Sequence, residues 1–337
     1  MKRLRAITDV PAIKVGHASD FKALTGCTVI LCEEGAIGAV DIRGAATGTR
    51  EIEALSYHHP VDKIHAVLFS GGSAFGLDAA GGVMAYLEER EKGFQAIKTR
   101  VPIVPTAVIF DLGIGDFQKR PDQKMGYEAC LNASKKVEEG SVGVGTGATV
   151  GKLFGIERAM KGGLGTSSIF GPQGIIVGAL MVVNAFGDVL DPQSNRILAG
   201  ARESKTTLRF ADSSAWMKKG VIQKFFSESS SSRSFPYSTT LGVIATNAFL
   251  DRKELHQVLR IAHCGLARMI SPFHTTFDGD ILFGLSYGKK KGDPNLIGLL
   301  GKEALMEALK RAVLKADGFG VLPAHKDLLR EDSKAVS

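Results

Sequence analysis

The sequence predicts a layered fold that combines β-strands with amphipathic α-helices. Short runs rich in Val and Ile and bounded by glycine are typical of buried strands. Between them, apolar residues recur at the spacing of helices with one buried face. Of the 337 residues, 44% are hydrophobic and 23% are charged, which is the balance of a globular protein long enough to bury a full core. We therefore expect strands and helices packed in layers.

In the first half of the chain, predicted strands and helices follow one another. Leu77, Ala80, Met84 and Leu87 have helical spacing, and they follow Ser73, which we interpret as the N-cap of their helix. Strands are expected at 27–31, 39–42, 65–70, 101–110 and 175–185, and helices at 73–90 and 127–138.

A polar segment interrupts this pattern between about residues 201 and 238. Its serine-rich part, SESSSSRS at 227–234, has low complexity, which predicts a mobile linker. Apolar order returns abruptly at Thr239. After it, strands are expected at 239–248 and 278–288, and helices at 251–270 and 295–316. A linker that runs directly into a core strand is unusual, because a chain break there would leave a new terminus anchored in the core.

The composition argues against membrane proteins and nucleic-acid-binding proteins. The longest apolar stretches contain prolines or are shorter than the roughly 20 residues that a spanning helix needs. The net charge is +7, but the Lys and Arg residues are scattered without interleaved aromatic residues, so no nucleic-acid partner is expected. The first 20 residues lack the apolar run of a secretory signal, and a cytoplasmic protein is expected.

Short motifs for metals and cofactors do not fit the sequence. The four cysteines form no CxxC pair and the eight histidines form no HExxH pattern, so no metal site is expected. The glycine-rich run at 143–148 follows a predicted helix end rather than a strand, which argues against a dinucleotide site. Gly151-Lys152 resembles the end of a phosphate loop but lacks the Ser or Thr that should follow it. No cofactor is therefore predicted.

One pattern suits a specific chemistry, that of an amino-terminal nucleophile. If the chain were cut before Thr239, that residue would gain an α-amine with a pKa near 8, able to take the proton from its own hydroxyl. Asp278 and Asp280 open a later predicted strand, where residues two apart project to the same face and Gly279 leaves room behind them. One carboxylate would orient the amine and hydroxyl, and the second would fix the first. On spacing alone, a threonine at a strand start and an ordinary Asp-Gly turn account for the pattern better.

Long blocks of the sequence carry a more specific signal. They include VGHASD (15–20), DIRGAATGTRE (41–51), SGGSAFGLDAAGGVMAYLEE (70–89), GTGATVGK (145–152), MKGGLGTSS (160–168), VNAFGDVLDP (183–192), TTLGVIATNA (239–248) and FDGD (277–280). In these blocks the chain resembles the L-aminopeptidase D-amidase/esterase family, which includes β-peptidyl aminopeptidases and nylon-oligomer hydrolases. The resemblance runs from about residue 8 to residue 325. It implies an α+β fold, an αββα four-layer sandwich similar to that of Ntn hydrolases, as one domain over 1–337.

The resemblance also implies that the chain cleaves itself. In that family the precursor is cut before a Ser or Thr, which becomes the nucleophile. Here the cut would fall between Ser238 and Thr239, leaving fragments 1–238 and 239–337 that stay associated. Ser238 stands where Asn or Gly is more usual, and this difference is expected to slow the cut.

Four further positions match the family residue by residue. Asp278 and Asp280 match the acidic pair that supports the nucleophile in the nylon-hydrolase branch, and Lys161 matches a lysine at the active site of that branch. Asn184 matches the asparagine that helps to stabilise the oxyanion. Phe110 stands where the peptidase branch has a tyrosine, so we expect Lys161 to compensate for the missing hydroxyl.

The predicted function is that of a self-processing aminopeptidase or amidase. It would cleave short amino-acid amides or peptides through an acyl-enzyme on Thr239, and a homo-oligomer is expected. Three alternatives remain open: an amidase of the nylon-oligomer type, an acetyltransferase of the ornithine type, and a relative that neither cleaves itself nor catalyses.

Overall fold

A computed structural model describes residues 5–221 and 237–329. Its α-helices are α1 (Ala79–Glu88), α2 (Gln123–Leu131), α3 (Ser213–Lys218), α4 (Arg252–Leu266) and α5 (Pro294–Leu314). Its strands are β1 (Lys14–Asp20), β2 (Thr25–Ile42), β3 (Thr49–Arg50), β4 (Lys63–Ser70), β5 (Phe94–Gln95), β6 (Arg100–Val101), β7 (Thr106–Val108), β8 (Thr149–Val150), β9 (Met160–Lys161), β10 (Gly163–Phe170), β11 (Ile176–Asn184), β12 (Asp188–Leu190), β13 (Ile197–Ala199), β14 (Thr239–Thr246), β15 (Ile270–Ser271) and β16 (Ile281–Ser286). In this part of the chain, no helix has both the length and the apolar character needed to cross a membrane.

The long strand β2 connects two halves of the main sheet. The strand order is β10-β11-β14-β16-β2-β4-β7-β3, and β1 pairs with β2 beside this path. The first part of β2 pairs with β1, its last six residues pair with β16, and its pairing with β4 shifts register between Leu31 and Ala36. The pairs β14–β16 and β4–β7 are parallel, and the other pairs in this sheet are antiparallel. The sheet can therefore fold over at β2 into two stacked layers.

Three buried apolar clusters separate four layers. One cluster joins β2 and β4 to helices α1 and α2, and another joins β11 to helices α4 and α5. Between them lies a cluster shared by both halves of the sheet, in which the rings of Phe69 and Phe283 have centroids 5.8 Å apart. Alternate residues of β11 face different clusters: Met181 faces the helices, whereas Val182 faces the other half of the sheet. The αββα arrangement implied by the resemblance is confirmed.

Several predicted elements differ from the observed ones. The predicted strands 27–31 and 39–42 are parts of the single strand β2. The prediction that Ser73 caps a long helix is wrong, because Ser73 has a φ of 53° and starts a 3₁₀ turn before α1. The predicted strand 101–110 is strand only in β6 and β7, since the intervening prolines lack an N–H for the ladder.

The first part of the predicted linker packs on the domain. Residues 201–221 contain helix α3 and a β-bridge between Arg202 and Phe210. The Arg202 side chain is buried, and its guanidinium donates to the carbonyl oxygens of Glu157 and Lys205. Apolar periodicity does not reveal this segment because a buried arginine bonded to backbone carbonyls holds it. The rest of the predicted linker, 222–236, lies outside the described residues.

Candidate active site

Three strand ends meet at one edge of the sheet, because β14 lies between β11 and β16. Thr239, the first residue of β14, pairs with Asn184, the last residue of β11. On the other side β14 runs parallel to β16, with Leu241 opposite Ile281. This register brings Thr239 level with Gly279, just before β16. Residues far apart in the sequence are therefore neighbours here.

Gly279 contacts the peptide bond between Ser238 and Thr239. Its N–H donates to the carbonyl oxygen of Ser238 at 2.8 Å, and the Ser238 N–H donates to the Phe277 carbonyl oxygen at 2.9 Å. A Cβ on Gly279 would lie 3.0 Å from Thr239 Oγ1 and 2.5 Å from the carbonyl oxygen of Ala46. The absence of a side chain thus leaves room for the Thr239 hydroxyl beside a carbonyl held by an N–H donor.

Asp280 lies in the turn before β16 and is 1% exposed. Its Oδ1 accepts a hydrogen bond from the Thr240 N–H at 2.7 Å. Its Oδ2 lies 2.9 Å from Nδ1 of His274. The expectation that the aspartates open the strand is off by a few residues, but the structure does bring Asp280 to the first residues of β14.

Asp278 is equally buried and has a separate set of partners. Its Oδ1 accepts from the Phe186 N–H at 3.1 Å, and its Oδ2 accepts from the Thr275 N–H at 2.9 Å and the Thr275 hydroxyl at 2.6 Å. Burial and, after it, the neighbouring Asp280 raise the pKa of Asp278 to about 6, against the hydrogen bonds from Thr275 and Phe186, which lower it. The aspartates therefore form an interacting acid pair, Asp278 with Asp280.

Asn184 is fully buried opposite Thr239. Its side-chain oxygen accepts from the Thr149 N–H at 3.0 Å and from Lys152 Nζ at 2.8 Å. Its Nδ2 donates to the carbonyl oxygen of Phe110 at 3.3 Å. The side chain is thus held by its oxygen, while its amide N–H group has one long hydrogen bond to exchange for another acceptor.

The lysine that reaches the cleavage site predicted from the resemblance is Lys152, which the sequence reasoning did not select. Its Nζ donates to the Ser238 hydroxyl at 3.2 Å and to the Asn184 carbonyl oxygen at 3.0 Å. Burial lowers the pKa of Lys152 to about 7, although Asp278 and Asp111 favour its charged form. A lysine that ends a run of small and apolar residues was the available signal, because lysine is rarely buried without a specific role.

Lys161, which the resemblance selected, is equally buried but has other partners. Its Nζ donates to the carbonyl oxygens of Thr146 and Ala148 at 2.7 and 2.8 Å, and neither contact is with Ser238 or Thr239. Burial lowers its pKa to about 7, against the attraction of the Asp111 carboxylate.

Asp111 is a further buried group that sequence reasoning missed. Its carboxylate accepts from the Thr25 hydroxyl and the Gly72 N–H, each at 2.7 Å. Burial raises its pKa, opposed first by these hydrogen bonds and then by Lys161. Two buried lysines and three buried aspartates therefore share the region around Thr239. Within residues 5–221 and 237–329, no group of three or more His, Cys, Asp or Glu side chains is placed to hold a metal ion.

Comparison with known proteins agrees with this architecture. The model of Peptidase family S58 matches residues 5–322. An uncharacterized aminopeptidase of Mycobacterium bovis is 37% identical over 350 residues, covering 96% of this chain and 98% of that protein. A 6-aminohexanoate-oligomer endohydrolase of a Kocuria species is 29% identical over 320 residues, covering 90% of this chain and 84% of that protein.

A solved structure shares the fold. The L-aminopeptidase D-Ala-esterase/amidase from Ochrobactrum anthropi, described as a variant of the Ntn hydrolase fold, superposes with a TM-score of 0.70. It is 18% identical, and the match covers 98% of this chain and 94% of that one. The family match spans nearly the whole chain, and the four layers and the buried polar site at the start of β14 agree with it. The protein belongs to peptidase family S58, and it is a hydrolase of peptide or amide bonds.

Proposed function

We propose that the protein is a self-processing aminopeptidase or amidase whose nucleophile is Thr239. The observation that carries this proposal is the 2.8 Å hydrogen bond from the Gly279 N–H to the Ser238 carbonyl oxygen, beside the Thr239 hydroxyl. A carbonyl held in this way is polarised for attack, because the N–H donor stabilises the negative charge that develops on its oxygen.

Self-cleavage would proceed as a shift from amide to ester. The Thr239 hydroxyl oxygen bonds to the Ser238 carbonyl carbon, the peptide C–N bond breaks, and the leaving nitrogen takes up a proton. Water then hydrolyses the ester, which leaves a carboxylate on Ser238 and an amine on Thr239. Lys152 Nζ donates to the hydroxyl of Ser238, the residue before Thr239, and with a pKa of about 7 it is partly neutral at neutral pH. We therefore assign Lys152 as the acceptor of the proton that leaves the Thr239 hydroxyl.

The mature enzyme would use the same hydroxyl on substrates. The new α-amine of Thr239 accepts the hydroxyl proton, the hydroxyl attacks a substrate amide, and water releases the acyl group from the enzyme. Asn184 Nδ2 would turn from the Phe110 carbonyl to the oxyanion, since its present bond is long at 3.3 Å. The acid pair would hold the ammonium of Thr239.

The two fragments would stay together after the cut. In the sheet β14 lies between β11 and β16, so it keeps its ladder with β11 of the larger fragment when the bond before Thr239 breaks. Size-exclusion chromatography of the cleaved protein tests this: the two fragments should elute together, and their native mass also reports whether copies associate as expected. Separate elution without denaturant would contradict the association.

We propose short amides with a free amino terminus as substrates. The buried carboxylates beside Thr239 favour a cation at the start of β14, and the relative with 37% identity is named as an aminopeptidase. The alternative, cleavage of nylon-type oligomers, is supported by the relative with 29% identity.

Hydrolysis of alanine p-nitroanilide with a free or an acetylated amine separates these substrates. An aminopeptidase should hydrolyse the acetylated compound at least tenfold more slowly, which is about 1.4 kcal/mol in the barrier. Equal rates would contradict amine recognition and favour a general amidase.

A further inference from the structure

His274 is a partly exposed group in contact with the acid pair. Its Nδ1 lies 2.9 Å from Asp280 Oδ2, and its side chain is 24% exposed, whereas that of Asp280 is 1% exposed. The backbone at His274 has a φ of 56°, in the left-handed region that non-glycine residues adopt rarely and in which Asn, Asp and His are enriched. Its ring stacks on Phe273, with centroids 3.7 Å apart. The imidazole is therefore held in one orientation against Asp280.

The two buried aspartates cannot both carry a negative charge cheaply, because like charges at short range in a buried site favour one proton between them. Both carboxylates accept backbone N–H groups, Thr240 on Asp280 and Phe186 and Thr275 on Asp278, so these donors do not decide which one keeps the proton. The remaining partners differ. Oδ2 of Asp278 faces the Thr275 hydroxyl, which can accept as well as donate, so Asp278 can bear a proton and keep that contact. Oδ2 of Asp280 faces Nδ1 of His274, which can donate to an ionised carboxylate.

We propose that His274 is a positioning residue for the acid pair: its Nδ1–H holds the negative charge on Asp280 and leaves the proton to Asp278. An ionised carboxylate only accepts hydrogen bonds, so the tautomer with hydrogen on Nδ1 is the one that fits. With the Thr240 amide on Oδ1 and His274 on Oδ2, both oxygens of Asp280 then have an N–H donor.

The groups around His274 favour this arrangement. The imidazole ring of His263, in helix α4, makes a T-shaped contact with the ring of His274, and the ring centroids are 4.9 Å apart. His263 Nδ1 lies 2.8 Å from Asp41 Oδ2, and Asp41 also accepts from Arg43 Nε. Burial lowers the pKa of His263, against the attraction of Asp41. A neutral His263 therefore places no positive charge beside the ring of His274.

The charge assignment can be tested without catalysis. The backbone amide of Phe186 donates to Asp278 Oδ1, so the NMR chemical shift of this amide should follow the titration of Asp278. The titration is recorded in a Thr239→Ala chain, which should stay uncut. The midpoint should lie at about pH 6 with His274 present. In His274→Gly, which suits the left-handed backbone, Asp280 loses a donor and holds the charge less well. Asp278 then meets less repulsion, and the midpoint should fall by about one pH unit, a tenfold change in the ionisation equilibrium.

His274→Asn separates the hydrogen bond from mere packing. Asparagine tolerates the left-handed backbone and can place an N–H near the position of Nδ1, so it should restore the midpoint to within about 0.3 pH unit. His325→Asn is the matched control, because His325 is a half-buried histidine whose Nδ1 contacts the Leu198 carbonyl oxygen at 2.7 Å, away from the acid pair. It should leave the midpoint unchanged. An unchanged midpoint in His274→Gly, or an equal fall in His274→Asn, would overturn the proposal.

The catalytic consequence rests on the proposed function, but the charge assignment does not. In the cleaved enzyme, the acidic limb of the pH profile of kcat/KM should move to lower pH in His274→Gly and return in His274→Asn. If the wild-type chain failed to cleave itself, the proposed function would fail, whereas the Phe186 titration would still decide the role of His274.

Discussion

The Gly279 N–H donates to the carbonyl oxygen of Ser238 at 2.8 Å. Because Gly279 has no side chain, it also leaves room for the side chain of Thr239, the residue that follows Ser238. The contact joins a turn before β16 to the chain entering β14. It gives the bond between Ser238 and Thr239 a polarised carbonyl and a neighbouring hydroxyl.

Gly279→Ala should slow self-cleavage at least tenfold. The new Cβ would lie 3.0 Å from Thr239 Oγ1 and 2.5 Å from a backbone oxygen, so the turn must shift and move its N–H away from Ser238. Cleavage is followed by intact mass after cell-free synthesis. Gly113→Ala is the control, because a Cβ there meets only ordinary contacts with Ile156, 3.7 Å away at the nearest. Equal cleavage rates in the two variants would contradict a role for the Gly279 contact.

Self-cleavage should become faster as the pH rises through about 7. A lysine pKa lowered to about 7 means that Lys152 is mainly charged below this pH and mainly neutral above it, and only the neutral amine can accept the hydroxyl proton. Lys152→Arg keeps the positive charge at every pH used, so it should cleave at least tenfold more slowly and without this dependence. Rates at pH 6.0 to 8.5 after refolding from denaturant provide the measurement.

Lys161→Arg is the matched comparison for Lys152, since Lys161 is equally buried and its pKa also lies at about 7. Its Nζ contacts backbone oxygens away from Ser238. The pH dependence of cleavage should persist in Lys161→Arg. If it were lost there and kept in Lys152→Arg, the lysine selected from the resemblance would be the correct one.

The two lysines illustrate the limit of the sequence reasoning. Thr239, Asn184, Asp278 and Asp280 were selected from sequence blocks, and the structure brings them to one edge of the sheet. The sequence around Lys152, a run of small and apolar residues, indicates a buried lysine but does not show which of the two lysines reaches Ser238, because both stand next to glycines in the same glycine-rich region. Which one reaches Ser238 depends on how the chain around β8 and β9 crosses β11, and this is a tertiary property.

The fold shows the same division between local and long-range information. Strand β11 and helix α5 were predicted to within about two residues because each has a continuous local pattern. The union of two predicted strands in β2 depends on pairing with β4 and β16, which lie far along the chain. The partners of Asp280 likewise depend on the register between β14 and β16, which the periodicity of the sequence does not reveal.

Asn184→Asp should lower the kcat of amide hydrolysis about 100- to 1000-fold, the usual effect of losing one oxyanion donor at ~2.7–4 kcal/mol. Aspartate keeps an oxygen for Thr149 and Lys152 but lacks the Nδ2–H group. Asn247→Asp is the control, because Asn247 makes a similar pair of backbone contacts at the opposite end of the same strand pair. A similar kcat in both variants would exclude Asn184 as an oxyanion donor.

Self-cleavage before Thr239 is the central claim, and the intact mass of the purified protein tests it most directly. The 35.8 kDa chain should appear as fragments of 238 and 99 residues, about 25 and 10 kDa, and the smaller should begin Thr-Thr-Leu-Gly. Thr239→Ala should remain a single 35.8 kDa chain, whereas Thr240→Ala, which keeps the N–H bound to Asp280, should still be cut. An uncut wild-type chain, or a cut Thr239→Ala chain, would contradict the account.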